Sequence, residues 1–364
     1  MSDKIINIDK SDNYRIVVIS DVHGHKDLLV KLIEKVDLSD GDYLIILGDF
    51  INRGIDSFET YKYVQELSLR KNTIILKGNH ESWMQFCFTD IKWTDNLLGH
   101  IKNGLYETLI GNLIEKNGID INDLKHGKEL HDLLYHQSLE MVNFFNTLPI
   151  LVNFDRFRFV HGGYDESFNI DDDESKYLKY DNYNEFGHPN EKVTIVGHYP
   201  ASNLRTNILT NSPFVNEEKN IIFIDGGLGV KNTGELNAFI IEKKNNQVNY
   251  KYDFVNTFEK RQIIKAHRFE TEDLVYVNYP HHEIEVIEQD ERMSRCIQLS
   301  SGQTFSIFNS LLDREGSQYK LKLNFINNFL NLEINEDVEI CEEYDDCVLI
   351  KYKDEFGWIL KDQI

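Results

Sequence analysis

Three short apolar runs, Ile16–Ser20, Tyr43–Leu47 and Thr73–Leu76, alternate with two stretches of helical periodicity, Lys26–Val36 and Ser57–Leu69. No other feature narrows the fold so far. Runs this short and this continuous in Ile, Val and Leu read as strands buried on both faces. Strand, helix, strand, helix, strand in that order gives a layered α/β core. In the first helical stretch Leu28, Leu29, Leu32, Ile33 and Val36 share one side. Further strands are expected at Phe157–Val160, Val193–Val196 and Ile221–Ile224, with a closing pair at Phe239–Ile241 and Val248–Tyr252. Between about residues 82 and 147 the pattern turns helical, clearest over His131–Phe145, and reads as an insert.

Composition shifts near Val255. Residues 256–271 read as a connector, helical and basic over Phe258–Phe269, with Lys260, Arg261, Lys265 and Arg268 on a solvated face. From 272 to 364 short alternating runs with turn residues between them read as a smaller β-rich domain. Its Asp354–Ile359 ending, DEFGWI, resembles SH3-like barrels over a short stretch. The division expected is a catalytic domain over 1–255, the connector, and the C-terminal domain over 272–364.

Asp plus Glu number 61 against 39 Lys plus Arg, a formal charge of −22. Such a field repels nucleic acid and favours solubility. The acidic run Asp171–Glu174 reads as a solvated loop. Cys87, Cys296, Cys341 and Cys347 form no CxxC pair, which excludes a zinc ribbon and fits a reducing compartment. With no signal-peptide pattern and no run of 18 apolar residues, the expectation is a cytoplasmic protein with no membrane contact.

The chemistry gathers where the expected strands end. Asp21-Val22-His23-Gly24 follows the first, Gly48-Asp49-Phe50-Ile51-Asn52-Arg53-Gly54 the second and Gly78-Asn79-His80-Glu81 the third. His161-Gly162-Gly163 follows the Phe157 strand and Gly197-His198 the Val193 strand. Sites in open α/β sheets collect at the carboxyl ends of strands. Any one of these motifs alone is weak; all five in order, each closing a strand, are hard to obtain by chance. Asp21 and His23 can aim at one ion from a tight turn, Asp49 can bridge two, and Asn79, His161 and His198 can complete the second. Mixed carboxylate, amide and imidazole ligation suits Mn, Fe or Zn. Two such cations roughly 3.5–4 Å apart hold a hydroxide and clamp phosphoryl oxygens. Arg53 offers a planar fork to phosphate, and His80 can protonate a leaving oxygen.

The set DVHG, GDFINRG, GNHE, VHGG and VGHYP resembles the calcineurin-like metallophosphoesterase superfamily, in its phosphoprotein-phosphatase branch, over roughly residues 14–252. That branch includes Ser/Thr phosphatases and bacterial symmetrical dinucleoside tetraphosphatases. The resemblance implies a β-sandwich flanked by helices (α/β/β/α) with two metals. It implies Asp21 and His23 on the first metal, Asp49 as the bridge, and Asn79, His161 and His198 on the second. Arg53 then resembles the phosphate-binding arginine and His80 the general acid. The family usually has Asp where Asn52 stands, so a less basic His80 is expected, since an amide stabilises imidazolium less than a carboxylate. Arg205 is the candidate for a second phosphate contact, against an exposed loop cation. Trp83, Trp93, Tyr106 and Tyr135 are either core or stacking residues of the insert, whereas His25, His100, His126, His131, His136 and His188 read as surface or core.

The function implied is a manganese-dependent phosphatase acting on a phosphorylated protein or a small phosphoester. The alternatives are a symmetrical dinucleoside tetraphosphate hydrolase and a non-catalytic binding protein with a degenerate site. The C-terminal domain is a candidate for docking a protein partner.

Overall fold

The computed structural model describes residues 3–364 apart from 11, 104–106, 188–190, 207, 271–272, 317 and 354. Tyr106, His188 and Asp354 therefore lie outside the described residues, as does the Glu272 boundary. The chain forms two compact units. The first is Met1–Pro200, Ser212–Val230 and Glu235–Asn256; the second is Ala201–Asn211, Lys231–Gly234 and Thr257–Ile364.

The first unit runs β1 (Ile5–Ile8), β2 (Tyr14–Ile19), α1 (Lys26–Lys35), β3 (Tyr43–Ile46), α2 (Ser57–Leu67) and β4 (Thr73–Ile75). The insert follows as α3 (Asn79–Thr89), α4 (Ile91–Lys102), α5 (Leu109–Lys116) and α6 (Gly127–Thr147). Then come β5 (Leu151–Phe154), β6 (Phe157–Val160), α7 (Ser175–Leu178), α8 (Tyr183–Phe186), β7 (Val193–Val196), β8 (Phe214–Asn216), β9 (Ile221–Phe223), β10 (Leu236–Lys244) and β11 (Gln247–Val255). The strands form a five-stranded sheet, β11-β10-β2-β3-β4, and a six-stranded sheet, β1-β5-β6-β7-β9-β8. In the first, β2, β3 and β4 are parallel and β10 is antiparallel to β2. In the second, β6, β7 and β9 are parallel.

Alternation along the buried strands sets the layers. Val17, Ile19, Leu44 and Ile46 turn toward α1–α6, joining Leu29, Leu32, Tyr61, Met84 and Phe145 in one core. Ile16, Val18, Ile45 and Leu47 face the other way and meet Val152, Phe157, Phe159, Ile195 and Ile222 of the six-stranded sheet in a second core. Both faces of β2 and β3 are thus dry, which is why their sequences are continuously apolar. The outer layer beyond the six-stranded sheet is thin: α7 and α8 are four residues each, and Tyr183 of α8 meets Phe223 of β9 at 6.3 Å between rings.

The second unit is β-rich. It holds a five-stranded antiparallel sheet with Glu283–Gln289 at its centre, a four-stranded antiparallel sheet of Glu259–Gln262, Asp337–Glu343, Cys347–Tyr352 and Glu355–Leu360, and the pair Tyr276–Val277 with Phe325–Ile326. Trp358 is fully buried and donates from Nε1 to the Ile326 carbonyl at 3.0 Å. One expectation is corrected here. The basic connector is not a helix, since Glu259–Gln262 pairs antiparallel with Asp337–Glu343. Its cations sit against acidic side chains: Arg261 on Glu343 at 2.7 Å, Lys265 on Asp362 and Arg268 on Glu333. That edge, together with the burial of Ile263, overrides the weak helical periodicity. The four cysteines are free, and among the described residues no helix is long and apolar enough to cross a membrane.

Candidate metal centre

Six parallel strands of the first unit, β2, β3, β4, β6, β7 and β9, end on the same cluster. Asp21 follows β2, Asp49 follows β3, Asn79 follows β4, His161 follows β6, His198 follows β7 and Asp225 follows β9. The backbone ties these turns together: Asp21 N–H donates to the Gly48 carbonyl at 3.3 Å, His23 N–H to Asp49 at 3.0 Å and Gly197 N–H to His161 at 3.0 Å. One bond crosses between the sheets, from His198 N–H to Asp21 Oδ2 at 3.0 Å. Asp21, His23, Asp49 and His198 all adopt left-handed backbone, with φ of 54°, 45°, 50° and 65°. Such residues cost roughly 1–3 kcal/mol each and persist where the surroundings over-determine them. Here the strain turns four polar side chains toward one point.

The six side chains named from sequence come together. His161 Nε2 lies 3.1 Å from Asp49 Oδ2, and His23 Nε2 lies 3.8 Å from Asp21 Oδ1. The tip of the Asn79 amide is 2.9 Å from His198 Nδ1, 3.1 Å from His161 Nε2 and 3.2 Å from Asp49 Oδ2. With its oxygen inward, lone pairs from four residues face one another, an arrangement that needs a cation or a shared proton. Asp21 Oδ1 and His161 Nδ1 are buried without a hydrogen-bond partner. Two clusters have ligand atoms within 4.8 Å of one another, His23–Asp49–His80 and Asp49–His161–His198, with Asp49 common to both. The donor set therefore fits two borderline divalent cations sharing one carboxylate. In this geometry His80 sits beside the first cluster as well as beside the substrate face.

The ligands are oriented from outside. His23 Nδ1 is 3.3 Å from the Ile51 carbonyl, which leaves Nε2 facing the cluster. His198 Nε2 bonds Asp181 Oδ1 at 2.6 Å, which leaves Nδ1 facing Asn79. Outer hydrogen bonds of this kind fix the tautomer of a metal-binding imidazole. The fully buried Glu81 accepts from the backbone N–H groups of Asp49 at 2.8 Å, Phe50 at 3.1 Å and Gly78 at 2.8 Å, clamping the ends of β3 and β4. Sequence reasoning quoted Glu81 only as part of a motif and missed Asp181, which no motif contains.

Electrostatics follow from burial and proximity. Burial would push His161 down, but Asp49 at 3.1 Å, helped by Asp21 and Glu81, reverses this and raises it to about 9. Burial likewise works against Asp49, yet His161, His80 and His23 hold it well below the carboxylate range. Burial pushes His23 down to about 4, with His80 adding to it. Asp225 is raised well above its ordinary value by burial and by Asp21. Burial and Asp49 raise Glu81 to about 8, against its backbone donors.

Asn52, Arg53 and His80 lie along one side of the cluster. Asn52 is locked in place: its Oδ1 accepts from Leu109 N–H at 2.9 Å, so its Nδ2 turns to His80 Nδ1 at 3.1 Å. His80 Nδ1 therefore faces a donor, and so does Nε2, which accepts from Arg53 Nε–H. Burial lowers His80 to about 4, with Arg53, His161 and His198 adding to the effect against Asp49. A less basic His80 is found, and burial is its main cause. Arg53 Nε lies 3.3 Å from His80 Nε2. Arg205 belongs to the second unit, half-buried, its carbonyl accepting from Asn278 at 2.8 Å. A cleft of about 330 Å³ opens beside Arg53 and His80, lined also by Trp83, Leu97, His100 and Glu107. His100, read from sequence as surface or core, thus lies at the site. Trp93 and Tyr135 are exposed. The acidic run is solvated except at Glu174, which reaches Lys4 at 3.6 Å and Lys77 at 3.7 Å.

Residues 14–225, more than half of the chain, match the calcineurin-like phosphoesterase family, and the chain belongs to that family. The symmetrical bis(5'-nucleosyl)-tetraphosphatase of Buchnera aphidicola subsp. Baizongia pistaciae is 33% identical over 103 residues, 28% of this chain and 33% of that protein. The asymmetrical bis(5'-nucleosyl)-tetraphosphatase of Halalkalibacterium halodurans is 30% identical over 132 residues, 33% of this chain and 50% of that protein. The chain spans half or less of the length of these curated relatives. A serine/threonine phosphatase structure from Saccharomyces cerevisiae superposes at TM-score 0.39 and 13% identity, covering 69% of this chain and 84% of that one.

Proposed function

We propose that the chain is a metal-dependent phosphatase that hydrolyses phosphomonoesters. The observation that carries this is the convergence of Asp49, Asn79, His161 and His198 on one point, with His23 adjoining through the shared Asp49 and Asp21 3.8 Å from His23. Two divalent cations held by these residues, manganese first with iron or zinc as the other candidates, supply Lewis-acid polarisation of phosphoryl oxygens and acidify water. The chain's own residues do the rest. Arg53, at the edge of the cluster, presents paired N–H donors to the phosphoryl oxygens and orients the phosphorus. His80 Nε2, 3.3 Å from Arg53 Nε, faces the leaving oxygen, and the imidazolium form of His80 protonates it. Glu81 and the left-handed turns hold the ligands in place before substrate arrives, which lowers the reorganisation needed in the transition state.

A second reading is hydrolysis of a dinucleoside tetraphosphate, favoured by the printed names of the relatives aligned with this chain. A binding protein with a degenerate site is disfavoured, because none of the six candidate ligands Asp21, His23, Asp49, Asn79, His161 and His198 is missing from the sequence. The deciding experiment is a substrate panel with manganese, run beside Asp49→Asn. It compares p-nitrophenyl phosphate, phosphopeptides, diadenosine tetraphosphate and cyclic nucleotides. Turnover of the monoesters, lost in Asp49→Asn and on chelation, is the expected result. Turnover of the tetraphosphate far above the monoesters overturns the first reading, and turnover indifferent to chelators overturns the mechanism.

A further inference from the structure

We infer that the cleft beside His80 is the seat of the leaving group and selects an aromatic one, with Trp83 as the residue that reads it. The inference rests on His80 being the proton donor and goes beyond that role by naming what lies past the scissile bond. A leaving oxygen that takes the His80 Nε2 proton must lie within hydrogen-bond reach of it. The group attached to that oxygen then points away from the cluster, into the space His80 itself lines. That space is the cleft of about 330 Å³, within the size range of small-ligand sites.

The walls of the cleft have a definite chemistry. Trp83 stands three residues after His80 on α3, so both side chains leave the same helix face. The indole is half-buried and lines the cleft beside Leu97, which is itself 1% exposed. A flat indole edge next to a buried leucine makes an apolar slot, shaped for a ring more than for a polar chain. Glu107 and His100, both exposed and polar, complete the lining. Among the described residues Arg53 is the one arginine or lysine in the lining, and it belongs to the scissile phosphate. A carboxylate in the lining repels a second anionic group, so the leaving group expected is a neutral ring, such as an aryl or nucleoside head.

The test uses the full chain with manganese and two monoesters of matched alkoxide leaving groups, 2-phenylethyl phosphate and ethyl phosphate. Wild-type protein is expected to prefer the phenylethyl ester by roughly tenfold in kcat/KM, the size of a ring-stacking contact. Trp83→Phe keeps the preference. Trp83→Ala and the bulkier Trp83→Leu both lose it, so a packing defect in the first does not decide the outcome. Calorimetric titration of 2-phenylethylphosphonate and ethylphosphonate, which cannot be hydrolysed, reads the same preference without turnover. If neither ester is hydrolysed but the phosphonate preference depends on Trp83, the phosphatase reading fails and the ring site stands. If the esters turn over with no preference, or with one that Trp83→Leu leaves intact, the ring site is overturned and the phosphatase reading stands.

Discussion

Removing Asp181 is expected to weaken cation binding without touching a ligand. His198 is held at two points, its backbone N–H on Asp21 Oδ2 at 3.0 Å and its Nε2 on Asp181 Oδ1 at 2.6 Å. The second bond fixes the proton on Nε2 and leaves the Nδ1 lone pair 2.9 Å from the Asn79 amide. Without it, the ring exchanges tautomers and rotates, and part of the population presents N–H to the cation. Loss of an outer carboxylate of this kind costs about 10- to 100-fold in metal affinity. The Asp181 side chain is 55% exposed, so water replaces part of the interaction, and the lower end, about tenfold, is the figure expected for Asp181→Ala. Asp181→Asn keeps an acceptor oxygen but loses the charge, and an intermediate loss of roughly threefold follows. Manganese is titrated calorimetrically into chelator-stripped wild type and both variants at one pH, with thermal melts as a folding control. Equal affinities in folded variants refute the argument, as does a larger loss in Asp181→Asn than in Asp181→Ala.

Other expectations follow from the same geometry. His161, raised to about 9 from 6.5, stabilises the chelated protein fully below pH 6.5 and loses that contribution as pH climbs to 9; Glu81, raised to about 8, acts in the same direction, while His23 and His80, lowered to about 4, contribute no slope above 6.5. Unfolding free energy in EDTA, read from denaturant melts, should therefore fall from pH 6.5 to 9, by at most about 1.4 kcal/mol per pH unit per group, and the fall should flatten with manganese, whose binding displaces the proton; a rise in EDTA contradicts this. Asn52→Asp puts an acceptor against His80 Nδ1, stabilises the imidazolium and should carry the alkaline limb of the kcat profile to higher pH; an unmoved limb removes Asn52 from the mechanism. Gly197→Ala places a methyl group on Ser20 Oγ and Asp21 Oδ2 and should destabilise by roughly 1–3 kcal/mol with loss of manganese affinity, whereas Gly99→Ala, in open space on α4, should stabilise by about 1 kcal/mol; denaturant melts of the pair decide it.

What was legible in the sequence is what is local. Asp21, Asp49, Asn79, His161 and His198 each sit within four residues of the end of an apolar strand, so one pass along the chain finds both the strand and its ligand. The insert was legible for the same reason, because α6 repeats its apolar residues over 21 positions. What escaped depends on partners distant in the chain. Asp181 acts on a residue 17 positions away from an unpatterned stretch. The segment 258–269 is helical by local periodicity, and the edge of Asp337–Glu343, about 80 residues later, makes Glu259–Gln262 a strand. Strand β1 alternates half-buried and exposed residues and is defined by its pairing with β5. Segments Ala201–Asn211 and Lys231–Gly234 group with the second unit for reasons equally remote from their own composition. The same division explains the site. Ligand identity is written locally because each ligand sits on the turn that ends its own strand, whereas ligand orientation is delegated to side chains that any nearby loop can provide. Asp181 and Glu81 differ in this respect: Glu81, three residues after Gly78, accepts from the turn that carries it and so travels with its motif. Asp181 has no such tie, and an exchange of that carboxylate for another on the same loop, such as Asn182→Asp in an Asp181→Ala background, should restore manganese affinity only if the new oxygen reaches His198 Nε2.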